Sequence, residues 1–134
     1  MNRIEEAFKE KAFIPFITCG DPSLKITEKL VYAMEEAGAN LIELGIPFSD
    51  PTAEGVVIQQ KSKIPLVFMT YANVVFSYGI EEFMKRCQEL QVDGIILADV
   101  PFEEQKEFQE VGLRYQVHII SMIVPTTKER MKKL

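Results

Sequence analysis

Short apolar runs alternate with stretches of helical period along this chain, and polar, Gly- or Pro-rich residues follow the runs. The first run, 13–18, stops at the turn signal Cys19-Gly20-Asp21-Pro22. Ile26, Leu30, Ala33, Met34 and Ala37 then recur at helical spacing, up to Gly38, where a C-terminal helix cap belongs. A second run at 40–45 leads into a Pro-, Ser-, Asp- and Gly-rich loop over 46–55, and a third occupies 64–71. Ile80, Phe83, Met84, Cys87 and Leu90 share one helix face; a fourth run at 94–98 ends in Asp99-Val100-Pro101. The remainder reads as a helix over about 103–115, weakened near its end by Gly112, then a fifth run at 117–124. Thr126 or Thr127 is placed to cap a last helix running to Leu134.

Strands that are apolar on both faces and separated by helices belong to a parallel sheet covered by helices, an α/β fold. Polar, Gly- and Pro-rich segments that fall consistently after the strands point to a (β/α)8 TIM barrel, whose site is built on that rim. An open doubly wound sheet is the runner-up, but no Gly-x-Gly-x-x-Gly follows any run. The barrel is incomplete: about five strands are legible, where a full one needs eight and about 250 residues. One crossover helix is also missing, because the residues between 45 and 64 leave no room for a βαβ unit of ~30 or more residues. The expectation is a single β/α-barrel domain over 1–134, with segments omitted or deleted near 59–62 and after 134.

With 134 residues, 47% of them apolar, the chain can build one core. Its net charge of −5 and the lack of a basic stripe argue against nucleic acid as a partner. Cys19 and Cys87 are far apart, and His118 is the only histidine, so neither a metal site nor a Ser-His-Asp triad is expected. The N-terminus is charged and amphipathic, and no apolar run approaches ~20 residues. No membrane segment and a cytoplasmic location, with both thiols free, are the corresponding expectations.

The run Leu41-Ile42-Glu43-Leu44-Gly45-Ile46-Pro47-Phe48-Ser49-Asp50-Pro51-Thr52-Ala53-Glu54-Gly55 closely resembles the signature of the tryptophan synthase α-subunit family. Three further stretches resemble the family in the correct order. They are Phe13 through Pro22, Met69-Thr70-Tyr71-Ala72-Asn73 with Phe76, Tyr78 and Gly79, and Ala98-Asp99-Val100-Pro101-Phe102-Glu103-Glu104. The resemblance implies a lyase of tryptophan biosynthesis that cleaves indole-3-glycerol phosphate to indole and glyceraldehyde 3-phosphate. Breaking the bond to indole C3 requires protonation of that carbon and loss of the side-chain hydroxyl proton. One carboxyl able to give and take protons can serve both steps, and a second, bound to the indole N–H, stabilises the developing ring charge.

The resemblance makes Glu43 the acid/base, and Glu54 the carboxylate on the indole nitrogen. The family pattern has Asp-Gly where this chain has Glu54-Gly55, so the charge is kept on an arm one methylene longer. Phe16, Met69, Tyr71 and Ile96 match positions that line the indole pocket, although each could equally belong to barrel core. Asp50, Pro51 and Asn73 match contacts with the partner β subunit in an α2β2 assembly, and Asp99 matches a hydrogen-bonding position at the rim. Thr52 replaces a residue that is usually aliphatic. No cofactor or metal is expected in this chain, with pyridoxal phosphate expected only in the β subunit. The phosphate-binding loops of such barrels follow the last strands, beyond Leu134, so the 134 residues alone are expected to be inactive. The alternative is a non-catalytic module that docks on the β subunit; a different phosphate-sugar barrel enzyme, such as an isomerase, is disfavoured by the Glu43–Pro51 run.

Overall fold

The computed structural model describes residues 2–46, 62–123, 129 and 132. The elements along them are α1 (Arg3–Ala7), β1 (Phe16–Thr18), α2 (Leu24–Glu36), β2 (Ile42–Gly45), β3 (Leu66–Thr70), α3 (Ala72–Tyr78), α4 (Ile80–Glu89), β4 (Gly94–Leu97), a 3-10 turn (Phe102–Glu104), α5 (Lys106–Arg114) and β5 (His118–Ile120). The five strands pair in parallel in the order β1-β2-β3-β4-β5. Sequential order without reversal is that of a barrel wall; a doubly wound sheet reverses at its switch point. The final helix expected from Thr126 or Thr127, and the loop after Ile46, lie outside the described residues.

Alternation along each strand sorts side chains between two layers. Ile42 and Leu44 of β2, Leu66 and Phe68 of β3, and Ile95 and Leu97 of β4 join one buried cluster. In the same cluster are Val31 of α2, Val75 of α3, Phe83, Met84 and Cys87 of α4, and Phe108 of α5. The opposite parity, Leu41, Val67 and Ile96, forms a second cluster on the barrel-interior face, covered by Ile4 and Ala7 of α1 and by Ile14, Met69 and Ile120. Both faces of the central strands are therefore dry, which explains why their runs carry no polar alternation. Cys19 and Cys87 are buried and form no disulfide with each other, and burial pushes the Cys87 thiol well above its ordinary range.

Both ends of α2 are capped, the C-terminal one at the Gly38 that the sequence marks. Ser23 Oγ accepts the Ile26 N–H at 3.2 Å at its start. At its finish Gly38, at φ +100°, and Ala39 donate to the carbonyls of Glu35 and Met34 at 3.1 and 3.0 Å. This is the Schellman arrangement that a glycine permits. Gly112 acts differently from the expected helix-weakener. A Cβ there would lie 2.5 Å from the Val117 carbonyl oxygen, so the glycine lets α5 press against the start of β5, and the helix runs on to Arg114.

Two elements differ from the sequence reading. The helix expected over 103–115 is divided at Gln105, which follows the 3-10 turn and whose side chain is drawn inward. α3 was not anticipated: it contains the β-branched pair Val74-Val75, and Tyr71 gives it no side-chain cap. Its first N–H, from Ala72, is instead accepted at 2.9 Å by the Asp99 carboxylate at the end of β4, a cap invisible to local sequence. No helix among the described residues is long and apolar enough to cross a membrane.

The start of β3 is gripped by charged side chains from three elements. Arg3 of α1 donates to the Ser62 and Ile64 carbonyls at 2.6 and 2.7 Å and meets both Asp93 carboxylate oxygens at 3.2 Å. Asp93 also accepts the Leu66 N–H at 3.0 Å, while Glu35 of α2 accepts from Ser62 Oγ and the Lys63 N–H at 3.0 and 2.9 Å. Replacing Arg3 by Met keeps much of the side-chain length but takes the guanidinium donor from the Ser62 and Ile64 carbonyls and the cation from Asp93. The expected loss is about 1–3 kcal/mol in urea unfolding, with the m-value unchanged; an unchanged midpoint would show the clamp to be energetically idle.

Candidate active site

The C-terminal ends of β1 to β4 surround a cavity of about 250 Å³ lined by Phe16, Thr18, Gly45, Ile46, Met69, Thr70, Tyr71 and Ala98. That is near the small end of ligand pockets, which span roughly 300–1,000 Å³. Its lining is mainly apolar and aromatic, and it lies at the strand ends where a β/α barrel builds its site. The Phe16 ring forms one wall because β2 offers it a glycine. A Cβ on Gly45 would fall 2.5 Å from Phe16 Cζ, so the last residue of Leu-Ile-Glu-Leu-Gly seats an aromatic ring that is otherwise half exposed.

Glu43 stands two residues before Gly45 on the same interior-facing parity of β2. In the ladder it lies beside Phe16 on one side and Val67 on the other. It is half-buried. Among the described residues, no hydrogen bond or ion pair engages its carboxylate, unlike Asp93, which is tied to Arg3. A carboxyl in this position has the freedom to exchange a proton with a ligand above it.

Phe16, Met69 and Tyr71 all line this cavity. Ile96 does not line it. It is in register with Met69 and is buried with Leu41 and Val67 in the interior cluster, against which Met69 packs. Asn73 is exposed in the first turn of α3. Glu54, Asp50 and Pro51 lie outside the described residues, as does Thr52. Asp99 takes the rim position expected of it, holding the start of α3 next to Tyr71.

Sequence reading missed Thr18, Gly45 and Ala98 as lining residues, although the signal was present. Each lies two residues beyond a residue already singled out, Phe16, Glu43 or Ile96, and alternation brings such pairs to one face. Thr70 was also missed; its hydroxyl is fully buried and has no hydrogen-bond partner among the described residues. Gln105 carries no local signal at all. It is a buried amide whose Nε2 donates to the Val100 carbonyl at 3.1 Å and whose Oε1 accepts from Ser121 Oγ at 3.0 Å.

Comparison with known proteins gives a consistent set of relatives. The family model described as tryptophan synthase alpha chain matches residues 3–64 and 59–134. The chain is 44% identical over 151 residues to the tryptophan synthase alpha chain of Alkaliphilus metalliredigens, covering 95% of this chain and 57% of that one. It is 42% identical over 162 residues to that of Caldanaerobacter subterraneus, covering 98% and 62%. Among solved structures, a tryptophan synthase alpha chain from Legionella pneumophila matches with a TM-score of 0.85 at 30% identity, over 98% of this chain and 62% of that one. A structure of the tryptophan synthase α2β2 complex from Pyrococcus furiosus matches with a TM-score of 0.80 at 32% identity, over 90% and 60%.

The chain thus spans about three fifths of the length of the curated relatives it matches. A matched stretch of 162 residues is longer than this 134-residue chain, so the relative carries residues within it that have no counterpart here. The two family-model matches meet at 59–64, where the sequence left no room for a crossover helix. The fold is accordingly that of a TIM barrel, represented among the described residues by five of its strands.

The contact between Gly45 and Phe16 can be tested directly. Gly45→Ala should displace the half-exposed ring, at a stability cost below about 1 kcal/mol. It should weaken binding of a flat aromatic probe such as indole by roughly tenfold. The chain contains no Trp, so the probe's own fluorescence reports binding without background from that residue. Undiminished affinity would remove Phe16 from the binding wall.

Proposed function

The chain belongs to the tryptophan synthase alpha chain family, and from that premise we propose that it carries the acid/base part of a lyase site. The substrate is indole-3-glycerol phosphate, cleaved in an aldol-type reaction to indole and glyceraldehyde 3-phosphate. The observation that carries this reading is the placing of Glu43 on the interior-facing parity of β2, in register with Phe16 and two residues before the cavity-lining Gly45.

In the proposed reaction the indole ring lies among Phe16, Met69 and Tyr71, with Ile96 beside Met69 in the ladder. The Glu43 carboxyl gives a proton to indole C3, which makes the ring a cationic leaving group. The same group, now a carboxylate, takes the proton of the adjacent side-chain hydroxyl as the C–C bond breaks and the aldehyde forms. Glu54 accepts the indole N–H and stabilises the positive charge on the ring, where a fixed negative group is most effective. Its extra methylene relative to the family pattern alters how it must approach, and a misplacement of ~1 Å can cost on the order of 10²-fold in rate.

The phosphate end of the substrate needs the helix N-terminus and glycine-rich loops that follow the later strands of such barrels. The proposal therefore assigns turnover to a closed barrel and none to residues 1–134 by themselves. A β subunit is the proposed partner, in the α2β2 form described for the Pyrococcus furiosus relative, contacted through Asp50, Pro51 and Asn73. The chemistry assigned to this chain uses only its own carboxylates; pyridoxal phosphate belongs to the β subunit, and the proposed location is the cytoplasm.

A chimera tests the reading. Elements β1 to β5 of this chain replace the same elements of the Alkaliphilus metalliredigens relative, and indole release from indole-3-glycerol phosphate is measured. The chimera should turn over substrate, and Glu43→Gln within it should lower kcat by about 10²–10⁴-fold, the usual contribution of a general acid/base. Activity that survives in the variant would remove that role from Glu43. A folded chimera that binds the β subunit without turnover would favour a docking module.

A further inference from the structure

We propose that Gln105 is a positioning residue for the cavity, acting on Tyr71 through hydrogen bonds that run along the rim from β5 to α3. Gln105 is 1% exposed, and an apolar residue would fill the same space. Its amide is engaged at both ends, through Nε2 to the Val100 carbonyl at 3.1 Å and through Oε1 with the Ser121 hydroxyl at 3.0 Å. Ser121 follows β5, and Val100 lies in the loop after β4, so one side chain joins two adjacent rim segments.

The connection continues from there. Asp99 precedes Val100, and its Oδ1 accepts the Ala72 N–H at 2.9 Å. Tyr71 supplies no side-chain cap to α3, and this bond ties the first turn of the helix to the loop after β4. Tyr71, immediately before Ala72, lines the cavity. Fixing Val100 fixes the backbone that carries Asp99, which fixes the start of α3 and with it the direction of Tyr71. The inference concerns only these groups; its ligand readout rests on the aromatic pocket proposed above.

A claim of coupling needs a coupling measurement. In the 134-residue chain, Gln105→Met keeps the length and apolar packing but removes both hydrogen bonds. Gln105→Glu keeps the acceptor for Ser121 and loses the donor to Val100. Amide exchange and Tyr71 ring resonances are followed by NMR, with stability measured separately. Both variants should speed exchange of the Ala72 N–H by about tenfold relative to that of Phe68 in the core of β3, and shift the Tyr71 ring signals. In an Asp99→Ala background the same substitutions should add nothing further.

Uniform acceleration across Ala72 and Phe68 with unmoved Tyr71 signals would mean that Gln105 is merely structural, and would overturn the proposal. So would full additivity with Asp99→Ala. If Gln105→Met does not fold, Gln105→Glu alone decides between these results. Indole affinity is read in parallel and should fall several-fold, about threefold to tenfold, in both variants. Failure of the parent to bind indole would count against the aromatic pocket, while the exchange data would still decide the rim coupling.

Discussion

The register of β3 depends on the polar clamp at its start, and the cavity depends on that register. Residues 62–66 rejoin the sheet held by Arg3 from α1, Glu35 from α2 and Asp93 from the loop before β4. This fixes Ile42 opposite Leu66 and Gly45 opposite Met69. A slip of one residue would turn Leu66 and Phe68 toward the interior and carry Met69 and Tyr71 away from the cavity. In an ordinary βαβ unit a crossover helix packs the returning strand. Here the described contacts that set the return are side-chain hydrogen bonds at the N-terminal end of the sheet.

From that frame the site follows by alternation. Phe16 and Thr18, Glu43 and Gly45, Met69 and Tyr71, and Ile96 and Ala98 are pairs two residues apart on four neighbouring strands. In each pair the second member reaches further toward the mouth. The apolar clusters on the two faces keep these strands in place, while the mouth itself holds groups that fulfil little of the packing: a half-exposed Phe16, an exposed Tyr71 and a half-buried Glu43. Stability and chemistry are thus divided along the strand axis, as in β/α barrels generally.

Much of this was legible in the sequence because parallel strands buried on both faces leave continuous apolar runs with turn residues at their ends. The runs at 40–45 and 64–71 gave β2 and β3, and Gly38 marked the end of α2. What stayed hidden was set by residues distant in sequence. α3 has poor helix formers and no local cap, and exists with Asp99 as its partner. Gln105 reads as one polar residue among several in a helix; only its contacts with Val100 and Ser121 reveal it as a buried tie. Gly112 looked like a helix defect because the carbonyl of Val117, against which it packs, is a tertiary neighbour. Ile96 could be assigned to the interior face by parity, but its burial in the interior cluster is set by tertiary neighbours.

The central claim is that the strand ends around Glu43 form an aromatic-binding mouth. Backbone NMR shifts recorded while indole is added to the 134-residue chain test it most directly. The account predicts that the largest changes fall at Phe16, Glu43, Gly45, Met69, Tyr71 and Ala98. Changes concentrated instead around the opposite cavity of about 150 Å³, at Arg3, Gln91, Asp93 and Gln116, would contradict it.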